Sequence, residues 1–378
     1  MRWDPHLHTP GTLLNDQFGG DWDAFFKAIE AATPAPTALG VTDYFTLRGY
    51  KEFVRRRTTG QLPSVELVFP NVELRLTTET RDGKGINLHF LVSPDEPDHV
   101  AAMEERLARL SFRYLDTPFP CTDDGLRKLG RAQPNKAGLQ DEAALREGAS
   151  QFKAELSQVR ALFDDAWTRA NVLVAVAAGE DGLAGLAKDS GFRATREELG
   201  RLADILFSGS PGDRTFWLGQ HPDFKAIKQT IKPCFHGSDA HRLAQVLVPD
   251  NDRRCWIRGS ATFESLRQTL FEPERRVFIG AEPPPGAPAS ETISGIRLED
   301  APWLTIPDLR FNPGLVTVIG AKGSGKTALA DLIALAAGAE EARPGPASFV
   351  GKARHLLRSV KVRLGWSDGT AAGRGLDP

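Results

Sequence analysis

The chain has 378 residues, of which 41% are hydrophobic and 25% are charged, and 47 Lys and Arg against 49 Asp and Glu leave a formal charge of -2. This composition is typical of a globular chain with two domains, and the net charge argues against attraction of the whole chain to nucleic acid or to an anionic membrane. No uncharged apolar run reaches the roughly 18 residues of a membrane span, and the amino terminus lacks the apolar segment of a signal peptide. The three cysteines have no CxxC spacing, so we expect a cytoplasmic protein without disulfides or cysteine-bound zinc.

Strand-like and helix-like segments alternate along the first part of the chain. Short apolar runs bounded by turn residues predict strands at 38–41, 65–69 and 86–92. Apolar residues at spacings of three and four predict helices at 22–32 and 100–110. This order favours an α/β fold with a largely parallel sheet or barrel.

The middle of the chain continues this pattern as far as a proline-rich segment. A single long amphipathic helix is predicted at about 140–170, followed by a buried strand at 171–178, while 179–219 stays unassigned. Further strands are predicted at 232–236, 255–258 and 277–279, with a helix at 262–271. Residues 281–291 are rich in proline, which removes backbone donors, so we expect a linker between domains at 1–280 and 292–378.

A phosphate-binding loop is predicted in the second domain. Residues 320–327 read GAKGSGKT and satisfy the pattern G-x-x-x-x-G-K-[ST], between a predicted apolar strand at 315–319 and a predicted helix at 326–337. Glycines let backbone amides point at phosphate oxygens, and the helix presents its positive end to the same anion. We expect ATP and Mg²⁺ to bind through Gly320, Gly323, Ser324, Gly325, Lys326 and Thr327. Lys326 would reach the phosphates and Thr327 would hold Mg²⁺; the alternative is a glycine-rich turn that matches the pattern by accident.

The residues that follow this loop do not show whether the domain hydrolyses ATP. A working NTPase needs a carboxylate at the end of a second apolar strand, and 328–378 contains no such run. The strand predicted at 360–366 leads instead into Ser367-Asp368-Gly369, which is typical of a hairpin turn. The nucleotide-binding domain therefore looks incomplete.

Histidines and carboxylates recur at or near the ends of predicted strands. Residues i and i+2 of a strand face the same side, so His6 with His8, and Asp239 with His241, can each offer two ligands to one point. Side chains at the carboxyl ends of parallel strands converge on one mouth of a barrel. The predicted metal ligands are His6, His8, Asp43, Glu73, His89, Asp239 and His241.

Imidazoles mixed with carboxylates favour Zn²⁺, Mn²⁺ or Fe ions over Ca²⁺. Two or three such ions would lower the pKa of a bridging water and stabilise the leaving oxygen of a phosphoester. The alternative is that His89 and His236 are hydrogen-bonded core residues and that His6 and His8 belong to a solvated terminus.

The segments DPHLHT, GVTDYF, NVEL, NLHF and GSDAH, in that order, resemble the PHP (polymerase and histidinol phosphatase) family of metal-dependent phosphoesterases. The resemblance covers about residues 1–280. The segment CWIRGSATFESLRQTLFEPERRV, the proline-rich stretch and FNPGLVTVIGAKGSGKTALADLIALAAGA resemble more narrowly the TrlF-type proteins, in which a PHP domain precedes an SMC/ABC-like ATPase.

The resemblance implies a distorted (βα)₇ PHP barrel followed by the N-terminal part of a P-loop (SMC/ABC-like) ATPase domain. It implies that His6 and His8 bind one metal, that Glu73 bridges two, and that these residues act in catalysis with Asp239. Tyr44 stands where many PHP proteins have a histidine, and Ala177-Ala178 stand where a His-Pro motif is expected. A site with two metals and a site with three metals are therefore equally compatible with the sequence.

The leading hypothesis is a metal-dependent phosphoesterase, for monoesters or diesters, coupled to an ATP-binding head. The resemblance implies action on nucleic acid in DNA repair or defence, and a homodimer formed through the ATPase heads. It also implies C-terminal truncation, through a truncated product, an expression fragment or a split gene. The alternative is an ATP-binding regulatory or interaction module whose barrel is catalytically silent, which the two departures favour.

Overall fold

Two units make up the chain, Met1–Pro283 and Pro284–Pro378, and their boundary falls within the proline-rich segment. The computed structural model describes residues 1–186, 192–227, 229–286, 288–305, 307–339 and 348–375. No helix within these ranges combines the length and the apolar character needed to cross a bilayer.

One mixed sheet organises the first unit. The strands of the first unit are β1 (Arg2–His8), β2 (Ala38–Tyr44), β3 (Leu67–Glu79), β4 (Gly85–Val92), β5 (Ser111–Tyr114), β6 (Thr117–Pro120), β7 (Val172–Ala177), β8 (Ile205–Phe207), β9 (Cys234–Phe235), β10 (Arg254–Ile257) and β11 (Val277–Gly280). Of these, β5 and β6 form a separate hairpin. Among the described residues the sheet has nine strands in the order β11-β10-β1-β2-β3-β4-β7-β8-β9. The fold is α/β, with a sheet that curls into a nearly closed barrel.

The sheet is less parallel than the alternating sequence pattern predicts. β4 and β10 run antiparallel to both of their neighbours, whereas the other strands share one direction. For β4 the cause is local, because residues 80–84 alone link it to β3 and a parallel crossover needs a dozen or more residues. The expected (βα)₇ pattern is therefore interrupted by antiparallel strands.

Helices and short 3₁₀ turns connect these strands. The α-helices are α1 (Trp22–Glu30), α2 (Arg48–Arg56), α3 (His99–Leu107), α4 (Asp123–Arg131), α5 (Asp141–Gln151), α6 (Leu156–Leu162), α7 (Ala166–Asn171), α8 (Arg193–Leu202), α9 (Pro211–Trp217), α10 (Phe263–Gln268) and α11 (Pro273–Arg276). The 3₁₀ turns are Leu183–Gly185, Pro222–Ile227, Leu243–Gln245 and Asp250–Asp252.

The long helix predicted at 140–170 is wrong, because the structure divides this stretch into α5, α6 and α7. After α5 the chain extends at Phe152, and the Ala154 amide donates to the Arg75 carbonyl of β3 at 2.7 Å. Before α7 the Asp165 side chain caps the new helix by accepting from the Trp167 amide. Contacts with the sheet and a capping residue thus override the amphipathic pattern.

A buried apolar cluster fills the barrel below one mouth. It includes Trp3, Phe69, Leu91, Ala175 and Phe235, each from a different strand. Side chains two residues apart on a strand share a face. Because β3 and β4 run antiparallel, Asn71, two residues after Phe69, and His89, two residues before Leu91, lie directly above this cluster. The cluster forms the floor of the site described below.

The second unit is a small antiparallel sheet with one main helix against it. Its elements are β12 (Ile293–Glu299), β13 (Asp308–Arg310), α12 (Lys326–Ala336), α13 (Phe349–Lys352), α14 (Arg354–Leu357), β14 (Lys361–Trp366) and β15 (Ala371–Gly375), with a 3₁₀ turn at Ala289–Glu291. The strand order is β13-β12-β14-β15. Ile296, Val362 and Leu364 from the sheet pack with Leu332 and Leu335 of α12 in one core.

Two predictions in this unit have opposite outcomes. The hairpin turn at 367–369 is confirmed, since β14 and β15 pair antiparallel around it and the Trp366 amide donates to the Thr370 carbonyl at 2.8 Å. The strand predicted at 315–319 is wrong, because these residues form no strand and Leu315 and Ile319 are 90% and 86% exposed. An apolar run becomes a strand only where a neighbouring strand satisfies its backbone, and none pairs with it in the described part.

Candidate metal centre

Strand β1 supplies two histidines to the barrel mouth. The Nε2 atoms of His6 and His8 lie 3.2 Å apart, and the His8 side chain has no exposed surface. Two residues before His6, the buried carboxylate of Asp4 accepts from the His6 amide and from the Ser238 amide. Asp4 therefore fixes β1 against the loop that follows β9.

Strands β3 and β4 place Glu73 directly opposite His89. β3 does not end at residue 69, as predicted from the sequence, but continues through Pro70 to Glu79, so Glu73 lies inside the strand. Pro70 pairs with β2 only, and the pairing with β4 begins at Asn71, so the proline's missing donor does not interrupt the strand. Glu73 Oε2 lies 3.4 Å from His6 Nε2 and 3.3 Å from His8 Nε2.

Asn71 fixes the tautomer of His89. Its amide nitrogen donates to the Pro5 carbonyl at 2.9 Å, which turns its amide oxygen towards His89 Nδ1 at 3.1 Å. His89 Nδ1 therefore carries the proton, and Nε2 keeps a lone pair for a metal. All three residues are buried in or beside the sheet, with Asn71 and His89 each 1% exposed.

Asp239 and His241 come from a loop, and not from a strand as the sequence predicts. β9 ends at Phe235, and Asp239 has a left-handed backbone with φ of 46°. Asp239 Oδ1 lies 3.2 Å from His6 Nε2, 3.4 Å from His8 Nε2 and 3.5 Å from His241 Nε2. The His241 ring stacks on His8, with centroids 4.2 Å apart.

The predicted ligand Asp43 has a different place in the structure. Its carboxylate is buried, and it accepts hydrogen bonds from the amides of Leu13, Tyr44 and Gly49 and from the hydroxyls of Thr12 and Thr46. Thr12 donates to Asp43 at 3.2 Å, so its oxygen is left to accept from His8 Nδ1 at 3.1 Å. Asp43 thus orients His8 through Thr12, and leaves the lone pair of His8 Nε2 facing the carboxylates.

Two groups of donor atoms in the described chain are close enough to hold a cation. His6, His8 and Asp239 form one, and His6, Glu73 and His89 form the other, with the donor atoms of each group within 4.8 Å of one another. Neither group includes Asp43 or His241. Imidazole nitrogens with carboxylate oxygens are the donor set that Zn²⁺, Mn²⁺ and Fe ions accept.

The buried oxygen of Glu73 gives an independent test of this fit. Glu73 Oε2 has no hydrogen-bond partner among the described residues, although the His6 and His8 nitrogens face it. A carboxylate oxygen that faces imidazole lone pairs at this distance is unfavourable unless a cation or a proton lies between them. The residues present therefore fit a divalent cation.

The pKa shifts of His8 and Glu73 also indicate that the site favours a bound positive charge. Burial by itself lowers the pKa of His8, but Asp239 and Glu73 outweigh it and raise that pKa to about 9. Burial raises the pKa of Glu73, yet contacts with His6 and His8 bring it well below its usual range. Burial lowers the pKa of His89 to about 3, so this histidine stays neutral.

Tyr44 occupies the position where the family resemblance leads one to expect a histidine. Its ring stacks on His8 with centroids 4.9 Å apart, and it lies 6.2 Å from the His241 ring. Burial, together with Glu73 and Asp239, raises the pKa of the Tyr44 hydroxyl, while Arg75 acts in the opposite direction. Tyr44 therefore presents a protonated hydroxyl and not a metal-binding nitrogen.

Sequence reasoning missed Asp4, Thr12, Asn71 and Arg75. Asp4 and Arg75 each lie two residues from a predicted ligand, and this spacing on a strand could have drawn attention to them. Thr12 and Asn71 act through hydrogen bonds to His8 and His89 that have no sequence signature.

The predicted phosphate-binding loop has some of the expected features. α12 begins at Lys326 as predicted, and Gly323 and Gly325 both have φ of 89°, a conformation that favours glycine. Lys326 Nζ donates to the carbonyls of Gly320 and Ala321 at 2.8 and 2.9 Å. Ser324 and Thr327 are exposed in the same turn.

No protein-family model and no curated protein matches the chain. Two solved structures are similar at low identity. The lesion-specific endonuclease EndoQ from Pyrococcus furiosus is 12% identical with a TM-score of 0.42, and the match covers 78% of this chain and 61% of the endonuclease. A protein described as a metal-dependent phosphoesterase from Bifidobacterium adolescentis is 14% identical with a TM-score of 0.33, over 71% of this chain and 95% of its own. The chain thus spans about three fifths of the endonuclease's length.

Proposed function

We propose that the first unit is a metal-dependent phosphoesterase. The observation that supports this most directly is the convergence of His6, His8, Glu73 and Asp239, whose facing nitrogen and oxygen atoms lie 3.2 to 3.4 Å apart. The buried, unpartnered oxygen of Glu73 adds to it, because such an atom is favourable only with a cation or a proton beside it.

Two cations fit the donor set. His8 and Asp239 would hold one, Glu73 and His89 would hold the other, and the single Nε2 of His6 can join either group. Asn71 and Thr12 keep the lone pairs of His89 and His8 directed at the site. Divalent cations bound here supply Lewis acidity to a phosphoester and neutralise its charge. The apolar cluster below the site limits access of water from the barrel interior.

Loss of the β1 histidines tests this function. In protein purified without chelator, we expect bound metal, and Mn²⁺-dependent hydrolysis of bis(p-nitrophenyl) phosphate. Both should collapse in a His6→Ala, His8→Ala variant, whereas His221→Ala, at a half-exposed histidine outside both donor groups, should change neither. Undiminished hydrolysis in the double variant would refute the proposal.

We also propose that residues 320–327 bind a nucleoside triphosphate. Two glycines in the left-handed region and a helix that starts at Lys326 support this, since a turn of this kind directs backbone amides at an anion. Lys326→Ala should abolish ATP binding and leave the metal content unchanged. Lys322→Ala, at an exposed lysine of the same turn, is the matched control, and loss of ATP binding in both variants or in neither would contradict the assignment.

Coupling of the two activities on nucleic acid, in DNA repair or defence, is a further proposal that the TrlF-type resemblance suggests. Cleavage of single-stranded and double-stranded DNA by the Mn²⁺-loaded chain, measured with and without ATP, tests it. Cleavage that depends on both His8 and Lys326 is expected. Cleavage indifferent to Lys326 would separate the two units functionally.

A further inference from the structure

Arg75 is a cation beside the metal centre, and it has no carboxylate partner in the part of the chain that the structure describes. It lies on β3 two residues beyond Glu73, so both side chains leave the same face of the strand. The Arg75 side chain is half-buried and forms no ion pair with a carboxylate within the described ranges. A further positive charge near a centre that binds divalent cations is favourable only where negative charge lies between them.

An aromatic ring holds the Arg75 guanidinium in place. Its Cζ lies 5.4 Å from the centroid of the Tyr44 ring, and that ring stacks on the His8 ring at an angle of 20°. Cation–π contact restricts the rotamers of a long side chain, so less freedom is lost when the guanidinium binds a ligand. Arg75 is therefore positioned one aromatic ring from His8 before any ligand arrives.

We propose that Arg75 binds a phosphate oxygen of the phosphoester at the metal centre, and that Tyr44 positions it; this rests on the proposed function. The planar guanidinium matches two oxygens of a phosphate group, which an ammonium cannot do. Two divalent cations at His6, His8, Glu73, His89 and Asp239, with Arg75 beside them, would leave positive charge in excess, and a bound phosphate group reduces that excess.

A purely structural cation–π pair elsewhere in the chain provides a matched control. Arg267 Cζ lies 5.2 Å from the Phe263 ring, nearly the same distance as Arg75 from Tyr44. Arg267 has a carboxylate neighbour in Glu264 at 3.9 Å, and it lies outside the donor groups. If Arg75 only packs on Tyr44, the two arginines should respond alike to substitution.

The experiment compares Arg75→Met, Arg75→Lys and Arg267→Met in the full chain loaded with Mn²⁺. For bis(p-nitrophenyl) phosphate we expect Arg75→Met to raise KM, and the inhibition constant of orthophosphate, by about 10- to 100-fold, the usual size of a lost charged hydrogen bond. Arg75→Lys should recover part of this loss, and metal content should stay unchanged in all three. A KM and an orthophosphate inhibition constant within twofold of the parent in Arg75→Met would overturn the proposal.

Calorimetric titration of orthophosphate into the Mn²⁺-loaded protein separates this proposal from the proposed function. If the parent protein hydrolyses no phosphoester, the function fails, yet orthophosphate binding that weakens in Arg75→Met and not in Arg267→Met still supports the subsite. Equal orthophosphate binding by the parent and Arg75→Met overturns the subsite whatever the hydrolysis. Arg75→Lys, which keeps the charge and the long stem, serves the same comparison if Arg75→Met fails to fold.

Discussion

Metal affinity should fall steeply as the pH is lowered, because His8 binds a proton at the position where a cation would bind. The pKa of His8 is raised to about 9, so the metal-free protein keeps this proton from pH 6 to 8. A metal ligand must be the neutral imidazole, so binding displaces the proton. Glu73 and Asp239, whose pKa values are lowered, and His89, with a pKa of about 3, carry no proton in this range.

The size of the effect follows from linkage. One displaced proton changes the binding constant tenfold per pH unit below the pKa, so affinity should rise about 100-fold, or about 2.7 kcal/mol, from pH 6 to 8. The pKa of His6 is also raised, which can only steepen the slope. Above pH 9 the dependence on His8 should level off.

Calorimetric titration of Mn²⁺ into metal-free protein at pH 6, 7 and 8, in buffers with different ionisation enthalpies, measures both affinity and released protons. At least one proton per chain should be released at pH 7. His221→Ala should reproduce the slope, because this exposed histidine lies outside both donor groups. An affinity that changes less than threefold, with no proton released, would refute the protonated His8.

Three substitutions test the surroundings of the site. Asn71→Ala should weaken Mn²⁺ binding by about 10- to 100-fold in calorimetry, because His89 loses the partner that fixes its tautomer, and unchanged affinity would contradict that role. Asp43→Asn should lower the free energy of unfolding by about 1–3 kcal/mol in denaturant titration, since buried donors lose their acceptor, yet leave the number of metals per chain unchanged. Loss of a metal there would identify Asp43 as a ligand, as predicted from the sequence. Gly237→Ala should destabilise the fold by more than 1 kcal/mol, because its Cβ would lie 2.7 Å from Asp4 Oδ1 and from the His6 backbone nitrogen. Gly212→Ala, with its nearest contact at 3.6 Å, is the control, and equal melting temperatures would contradict the close packing.

The sequence predicted the strands of the barrel and most of the residues at its mouth, because both depend on local patterns. Continuous apolar runs bounded by turn residues predicted β2, β4 and β7, and strand alternation predicted the His6–His8 pair. Asp239 was found through the same rule although it lies in a loop. Its position depends on Asp4 and the Ser238 amide, a contact between residues far apart in the chain.

Other features depend on long-range contacts that no local pattern encodes. The predicted helix at 140–170 breaks where Ala154 pairs with β3. The spacing of apolar residues within 140–170 gives no information about a strand so distant in the sequence. Asp43 has the residue type and the strand position of a ligand, and only the arrangement of the surrounding amides shows that its oxygens are already engaged. The run at 315–319 is apolar enough for a strand, but no described strand pairs with it.

Anomalous diffraction at the manganese edge, from crystals grown with Mn²⁺, tests the central claim most directly. We expect peaks within coordination distance of His8 Nε2, Glu73 and Asp239, and no such peaks in the His6→Ala, His8→Ala protein. A parent crystal with full Mn²⁺ exposure and no peak among these side chains, or with peaks elsewhere alone, would contradict it.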